Sequence, residues 1–182
     1  MSRNFKRPVN KQEERKKGVV SFASDPSLVL EKIRYFCSYR ERSEKEVELK
    51  LKSLQVPAGK VRGILSQLSK EGFISDERFA RAFVRGKWRV NKWGRIRITF
   101  ELRARRIPEK LIISALKEID EDSYLLVLGD LISKKAKDIR PLKKGELNSG
   151  KPLNFRDKLF TFALGKGYET DLILKTLDEL KI

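Results

Sequence analysis

The sequence predicts an all-α protein of three tandem three-helix repeats forming an elongated, curved solenoid, and three observations predict it. One apolar pattern recurs three times along the 182 residues, its spacing is helical, and linkers such as "KEGFISD" and "EIDED" leave little room for the chain to double back. With Pro57, Pro108 and Glu169 taken as equivalent, apolar residues follow at +4 (Val61, Ile112, Ile173), +8 (Leu65, Leu116, Leu177) and +11 (Leu68, Ile119, Leu180). These positions line one stripe of a helix, so each copy holds an amphipathic helix facing a core. Three such helices bury little by themselves, which favours packing between neighbouring repeats. The competing architecture is one compact bundle of six to nine helices.

Residues 1–24, with "RNFKRPVNKQEERKK", are basic, polar and without period, and are expected to form a flexible tail. Repeat 1, residues 25–74, begins with "SLVLEKIRYFCSY" and continues with Ser43 to Leu54, where Ser43 and Glu46 have capping-box spacing. Its last helix starts at Pro57, placed in the first turn, where a missing N–H costs nothing. Repeat 2, residues 75–121, opens on "SDERFARAFVRGKW", with Ser75 as cap, Asp76 and Glu77 in the first turn, and Phe79, Ala80, Phe83 and Val84 at helical spacing. Trp88 lies one turn beyond Val84 and is expected in the core.

"GRIRITFELRAR", Gly94 to Arg105, alternates like a strand, but on a helix it resolves into two i, i+4 pairs. Ile98 and Leu102 match Val47 and Leu51 of repeat 1 as the core pair. Ile96 and Phe100 are surplus to that core and are expected to pack against a neighbouring repeat. Repeat 3, residues 122–182, pairs "DSYLLVLGDLISKKAK" with "FRDKLFTFALGK", in which Leu159 and Ala163 are the equivalent core pair. The distance from Pro57 to Pro108 is 51 residues and from Pro108 to Glu169 is 61; the excess fits a Pro/Gly/Lys-rich loop at about 140–152.

Composition narrows the function. A hydrophobic content of 40% is enough for a core, and no apolar run has the length of a membrane span or of a signal peptide's core, so a soluble, cytoplasmic protein is expected. The lone Cys37 excludes an internal disulfide, and the absence of histidine removes the usual metal ligand and general base. Cys37, within "RYFCSY", reads as an inert buried thiol, and the consecutive acids Asp120, Glu121 and Asp122 as a solvated junction between repeats. No catalysis, metal or cofactor is expected.

Of the net charge of +17, the stretch 78–116 carries most, with twelve Lys and Arg against Glu101 and Glu109 alone. Arg81, Arg85, Lys87, Arg89, Lys92, Arg95, Arg97, Arg103, Arg105 and Arg106 cannot all be neutralised within that stretch, so contact with phosphates or with an acidic partner surface is expected in preference to a merely solvated face. Reversing Arg95, Arg97 and Arg103 is expected to weaken binding and preserve the fold. Trp93 precedes the cap position Gly94 and Ile98 is the fourth helical residue, spacing read as a hydrophobic staple; base stacking is the sharper alternative.

The stretch "FISDERFARAFVRGKWRVNKWGRIRITFELRARRIPEKLIISAL", Phe73 to Leu116, resembles the central segment of the bacterial RecX regulatory proteins. The family's pattern is an acidic pair, Arg-Phe-Ala, an apolar helix, a glycine-aromatic-glycine turn and a basic helix ending in Glu-Leu-Arg. "YRERSEKEVELKLK", Tyr39 to Lys52, resembles the first-repeat counterpart, and the likeness covers most of Tyr39 to Ile182. It departs at Asn91, where the family has a glycine-rich turn, and in the ten-residue insertion. The resemblance implies a non-enzymatic monomer that binds RecA and the RecA filament on single-stranded DNA, and restrains its strand-exchange, ATPase and LexA-cleavage activities. The alternative reading is a general DNA-binding protein that uses the same basic patch without RecA.

Overall fold

The computed structural model describes residues 26–139 and 154–182; the expected tail at 1–24 and the loop at 140–152 lie outside the described residues. Among the described residues the chain is all-α: α1 (Pro26–Ser38), α2 (Glu44–Ser53), α3 (Ala58–Lys70), α4 (Asp76–Arg89), α5 (Arg95–Ala104), α6 (Glu109–Leu116), α7 (Glu121–Asp138), α8 (Phe155–Lys166) and α9 (Thr170–Glu179). Gly94 to Arg105 is a helix, so its alternation came from two helical faces.

A shared joint shows that the helices come in repeating threes. After α2, α5 and α8 one residue takes the left-handed conformation, Gln55 (φ 57°), Arg106 (φ 60°) and Gly167 (φ 87°). The next N–H then reaches back five residues, from Val56 to the Leu51 carbonyl (3.1 Å), Ile107 to Leu102 (3.1 Å) and Tyr168 to Ala163 (3.3 Å), closing the helix end. Pro57, Pro108 and Glu169 follow as N-caps of α3, α6 and α9, with ψ of 137°, 138° and 137°. The two prolines thus sit one residue earlier than the first-turn position expected for them, a place where their missing N–H is equally harmless.

The chain divides into two compact units, one holding α1, α2 from Glu46 and α3, the other Glu41–Lys45 with Ile74–Ile182. In the first unit the second-helix pair Val47 and Leu51 is fully buried. The Arg34 guanidinium grips the Glu71 carboxylate through two bonds (3.0 and 2.9 Å), tying α1 to the end of α3 and holding that carboxyl below its usual range. In the second unit, repeats 2 and 3 share one continuous core. It runs from Phe79, Ala80, Val84 and Trp88 on α4 through Ile98 and Leu102 to Tyr124, Leu128 and Ile132 on α7, Leu159 and Ala163 on α8, and Ile173 and Leu177 on α9.

The buried stripe of the third helices is wider than the +4, +8, +11 pattern. Position +7 (Ile64, Ala115, Thr176) is buried in all three, whereas Leu65 and Leu116 are half-buried and Leu180 is exposed. A helix packed over more than 100° of its surface uses +4, +7, +8 and +11 together, and Ala115 and Thr176 are too small or too polar to advertise it.

Helix starts follow local chemistry. Ser75 accepts from the Arg78 N–H, and Asp120 from the Ser123 N–H. Asn154 caps α8 in a reciprocal box with Asp157. Asn154→Ala is expected to cost about 1 kcal/mol in chemical denaturation, with the Asp157 N–H losing its acceptor; an unchanged midpoint would mean that the box contributes nothing.

Candidate polyanion-binding site

The ten candidate basic residues of repeat 2 separate, Arg106 apart, into two groups. Five have carboxylates, mostly acids outside the stretch 78–116. Arg81 bonds Glu77 and Glu118 (3.0 Å each), Arg85 bonds Glu118 (3.1 Å), Arg95 bonds Glu121 (2.6 Å), Arg103 bonds Glu109 (2.7 Å) and Arg105 bonds Glu101 (2.6 Å). Glu121 and Glu109 are held below the usual carboxylate range by the hydrogen-bonded guanidinium each one faces. Exposed pairs of this kind contribute roughly 0–1 kcal/mol, so their main consequence is to cancel charge along the α4–α6 edge. Arg106, in its left-handed joint, is exposed on the same repeat.

The second group gathers about the turn between α4 and α5. Lys87, Arg89, Lys92 and Arg97 have no carboxylate at ion-pair distance among the described residues, and Lys166 at the end of α8 joins them. Trp93 is the centre of this cluster. It lies edge-on to Phe83 (6.5 Å), with the Lys87 ammonium 4.8 Å and the Arg97 guanidinium 4.0 Å from its ring centre. Phe83 in turn carries Lys87 (5.4 Å) and Arg105 (4.9 Å). Cations held against aromatic faces lose side-chain freedom before any ligand arrives.

The turn is set by backbone. Lys92 adopts φ 55°, the left-handed conformation that a glycine takes without penalty, and the Trp93 N–H closes on the Lys87 carbonyl (3.1 Å). Asn91 and its neighbours therefore make the turn with no glycine at the left-handed position. Val90, Asn91 and Lys92 are exposed, while Trp93 is half-buried and Gly94 buried.

Gly94 then meets the far end of α8. Its N–H donates to the Lys166 carbonyl (2.9 Å) and the Ile96 N–H to the Gly167 carbonyl (3.1 Å), so the start of α5 is capped by the last carbonyls of α8. Opposed helix ends place partial positive against partial negative charge and satisfy both sets of orphan groups. Arg97 reinforces the seam by donating to the Gly165 carbonyl (3.1 Å), and Lys166 reaches the Asn91 carbonyl (3.4 Å). The Arg95 N–H donates to the Tyr124 hydroxyl (2.9 Å), which donates to Glu169 (2.7 Å); burial raises the Tyr124 hydroxyl well above its ordinary value. The neighbouring Tyr168, stacked on Tyr124 at 5.0 Å, is pushed up to about 12 by burial.

These contacts change the meaning of several residues. Arg97 holds the α5–α8 seam, and Arg95 pairs with Glu121 and lies over the Tyr124 ring, both on α7, so reversing the two is expected to cost stability that a reading of charge along the sequence leaves out. Ile96 and Phe100 do not pack on a neighbouring repeat: they are 52% and 70% exposed, while Ile98 and Leu102 on the opposite side are fully buried. Asp120 caps α7 and Glu121 pairs with Arg95, which gives two of the three consecutive acids defined structural partners. Phe79, Trp88, Ile98 and Leu102 are buried, Phe83 half-buried, and the indole N–H of Trp88 has no acceptor among the described residues.

Sequence reasoning missed Lys166. The string Gly165-Lys166-Gly167 does signal a helix end, but nothing local reveals that this end abuts a turn 75 residues away.

Comparison with known proteins follows the same lines. A family model described as "RecX, second three-helix domain" matches residues 75–116. The chain is 29% identical over 157 residues to "Regulatory protein RecX" of Prosthecochloris aestuarii, covering 86% of this chain and 96% of that protein. It is 28% identical to "Regulatory protein RecX" of Geobacillus kaustophilus, covering 66% of this chain but only 45% of that longer protein. Among solved structures, RecX from Lactobacillus salivarius superposes with a TM-score of 0.69 at 25% identity, over 87% of this chain and 98% of that one. A second structure, of a regulatory protein RecX, gives 0.70 at 20% identity over 94% and 79%, a likeness of fold.

Proposed function

Because the chain belongs to the RecX family of regulatory proteins, we propose that it binds RecA and the filament RecA forms on single-stranded DNA, and restrains the filament's ATPase, strand-exchange and LexA-cleavage activities. The observation that carries this reading is the placement of Lys87 and Arg97 against the half-buried Trp93, with Lys166 of the next repeat on the Asn91 carbonyl and Arg89 and Lys92 exposed at the same turn. Such a cluster suits the phosphates of a nucleoprotein filament, whose field it meets with charge that no carboxylate of its own cancels. The protein acts by binding, as a monomer in the cytoplasm, and needs no cofactor. No helix among the described residues is long and apolar enough to cross a membrane.

The test is the ATPase of RecA from the same organism on single-stranded DNA at near-physiological salt. Inhibition at substoichiometric amounts is expected; no inhibition, with ordinary binding to naked DNA, rejects the reading in favour of a general DNA-binding protein. Salt separates the two as well. Binding through phosphates alone weakens steeply as salt rises, whereas docking that includes apolar protein contact weakens less.

A further inference from the structure

The geometry points to the outer face of α5 as a protein-docking ridge, whose partner is a protein surface bearing apolar side chains flanked by carboxylates. Helix α5 has apolar residues on two sides. One side, Ile98 and Leu102, is fully buried in the shared core. The other, Ile96 and Phe100 one turn apart, is exposed, and Ala104 continues the same row another turn on. By helical spacing Arg97 and Arg103 stand on either flank of that row. The result is an apolar ridge on a helix whose other face is already fixed and whose end is held by the α8 seam; of its flanking guanidinium groups, that of Arg97 is bonded to the Gly165 carbonyl and that of Arg103 to Glu109.

Charge selects the occupant. The stretch 78–116 carries ten more positive than negative groups, and the chain as a whole +17. A second copy of this chain would bring the same sign to the ridge. So would the segments outside the described residues, since residues 1–20 hold seven Lys and Arg against two Glu, and 140–153 hold four against one. An acidic partner is attracted by the net positive field of this repeat. Nucleic acid supplies the charge but offers no aliphatic counterpart for Ile96. On the reading proposed above, that partner is the RecA protomer, met by the ridge, while the cluster around Trp93 meets phosphate.

The experiment compares the wild type with Ile96→Ser/Phe100→Ser, using Leu126→Ser as control, since Leu126 on α7 is 72% exposed. Because both ridge side chains point outward, the double variant is expected to keep its far-ultraviolet circular dichroism and melting temperature. Two probes are used at about 0.15 M salt: oligo(dT) coated with RecA and a slowly hydrolysed ATP analogue, and naked oligo(dT). The ridge variant is expected to bind the filament at least about tenfold more weakly, a loss typical of removing an exposed aromatic anchor, and naked oligo(dT) within about twofold of wild type. Leu126→Ser is expected to match wild type on both. Equal filament binding by wild type and ridge variant overturns the ridge alone. Parallel losses on both probes make it a nucleic-acid surface, and a wild-type dimer that the variant dissolves makes it a self-contact; either result overturns the proposal. A wild type that ignores the coated strand fails at an earlier point, removing the RecA reading and the ridge together.

Discussion

Gly94→Ala is expected to lower the melting temperature by about 10 °C, as read by far-ultraviolet circular dichroism. A Cβ at Gly94 would run into the backbone carbonyl of Gly167 and the Tyr168 nitrogen, atoms that cannot swing away as a side-chain end can. The seam must open, which loses the bonds from Gly94 to Lys166 and from Ile96 to Gly167. Two backbone bonds contribute about 2 kcal/mol together, and forcing one methyl into a closed contact costs about 1–3 kcal/mol. The sum, about 4 kcal/mol, corresponds to about 2–4 °C for each kcal/mol in a chain of this length. Gly167→Ala fails for a second reason, since Gly167 has φ 87° and its Cβ would meet the Arg97 backbone. Gly86 supplies the control, because a Cβ there meets nothing and the residue lies inside α4, so Gly86→Ala is expected to add about 0.5–1 kcal/mol. A Gly94→Ala protein melting with the wild type would show that the α5–α8 seam does not exist in solution.

That seam marks the boundary of what the sequence makes legible. The three-fold repeat, the helical nature of Gly94 to Arg105 and the core pairs Val47/Leu51, Ile98/Leu102 and Leu159/Ala163 all rest on local periodicity, which a sequence displays directly. The seam rests on backbone atoms of Gly94, Gly165, Lys166 and Gly167, whose side chains say nothing about it. Charge was misread for a related reason. Counting acids between Arg78 and Leu116 overlooked Glu77, one turn before Arg81 on α4 itself, and Glu118 and Glu121, which the packing of α4 against α6, and of α7 near the start of α5, brings within bonding distance of Arg81, Arg85 and Arg95. Ile96 and Phe100 were correctly surplus to their own core, but periodicity carries no information on whether a second apolar face meets another repeat or another molecule. Lys166 reached the α4–α5 turn, where Lys87 lies over Trp93, only once two repeats were folded onto one another.

The division of the basic residues into cancelled and uncancelled charge makes the second large effect predictable. Arg89→Glu/Lys92→Glu/Lys166→Glu is expected to weaken binding to single-stranded DNA by about a hundredfold at about 0.15 M salt. Each reversal removes one attraction and adds one repulsion, and six exposed charge terms of about 0.5 kcal/mol give about 3 kcal/mol, or about two powers of ten. The fold is expected to survive, since Arg89 and Lys92 are exposed and Lys166 yields only a long 3.4 Å bond to Asn91. The matched triple Arg81→Glu/Arg85→Glu/Arg103→Glu changes net charge by the same amount, but at positions whose partners Glu77, Glu118 and Glu109 already cancel the field locally. It is expected to cost stability, through carboxylates left facing carboxylates, and to lose less affinity. The salt dependence is the sharper readout. If the first triple removes three phosphate contacts, the slope of log affinity against log salt falls by about 2, whereas the matched triple moves it by much less. Equal slopes and equal losses for the two triples would mean that DNA responds to total charge alone, and the cluster around Trp93 would then be no site at all.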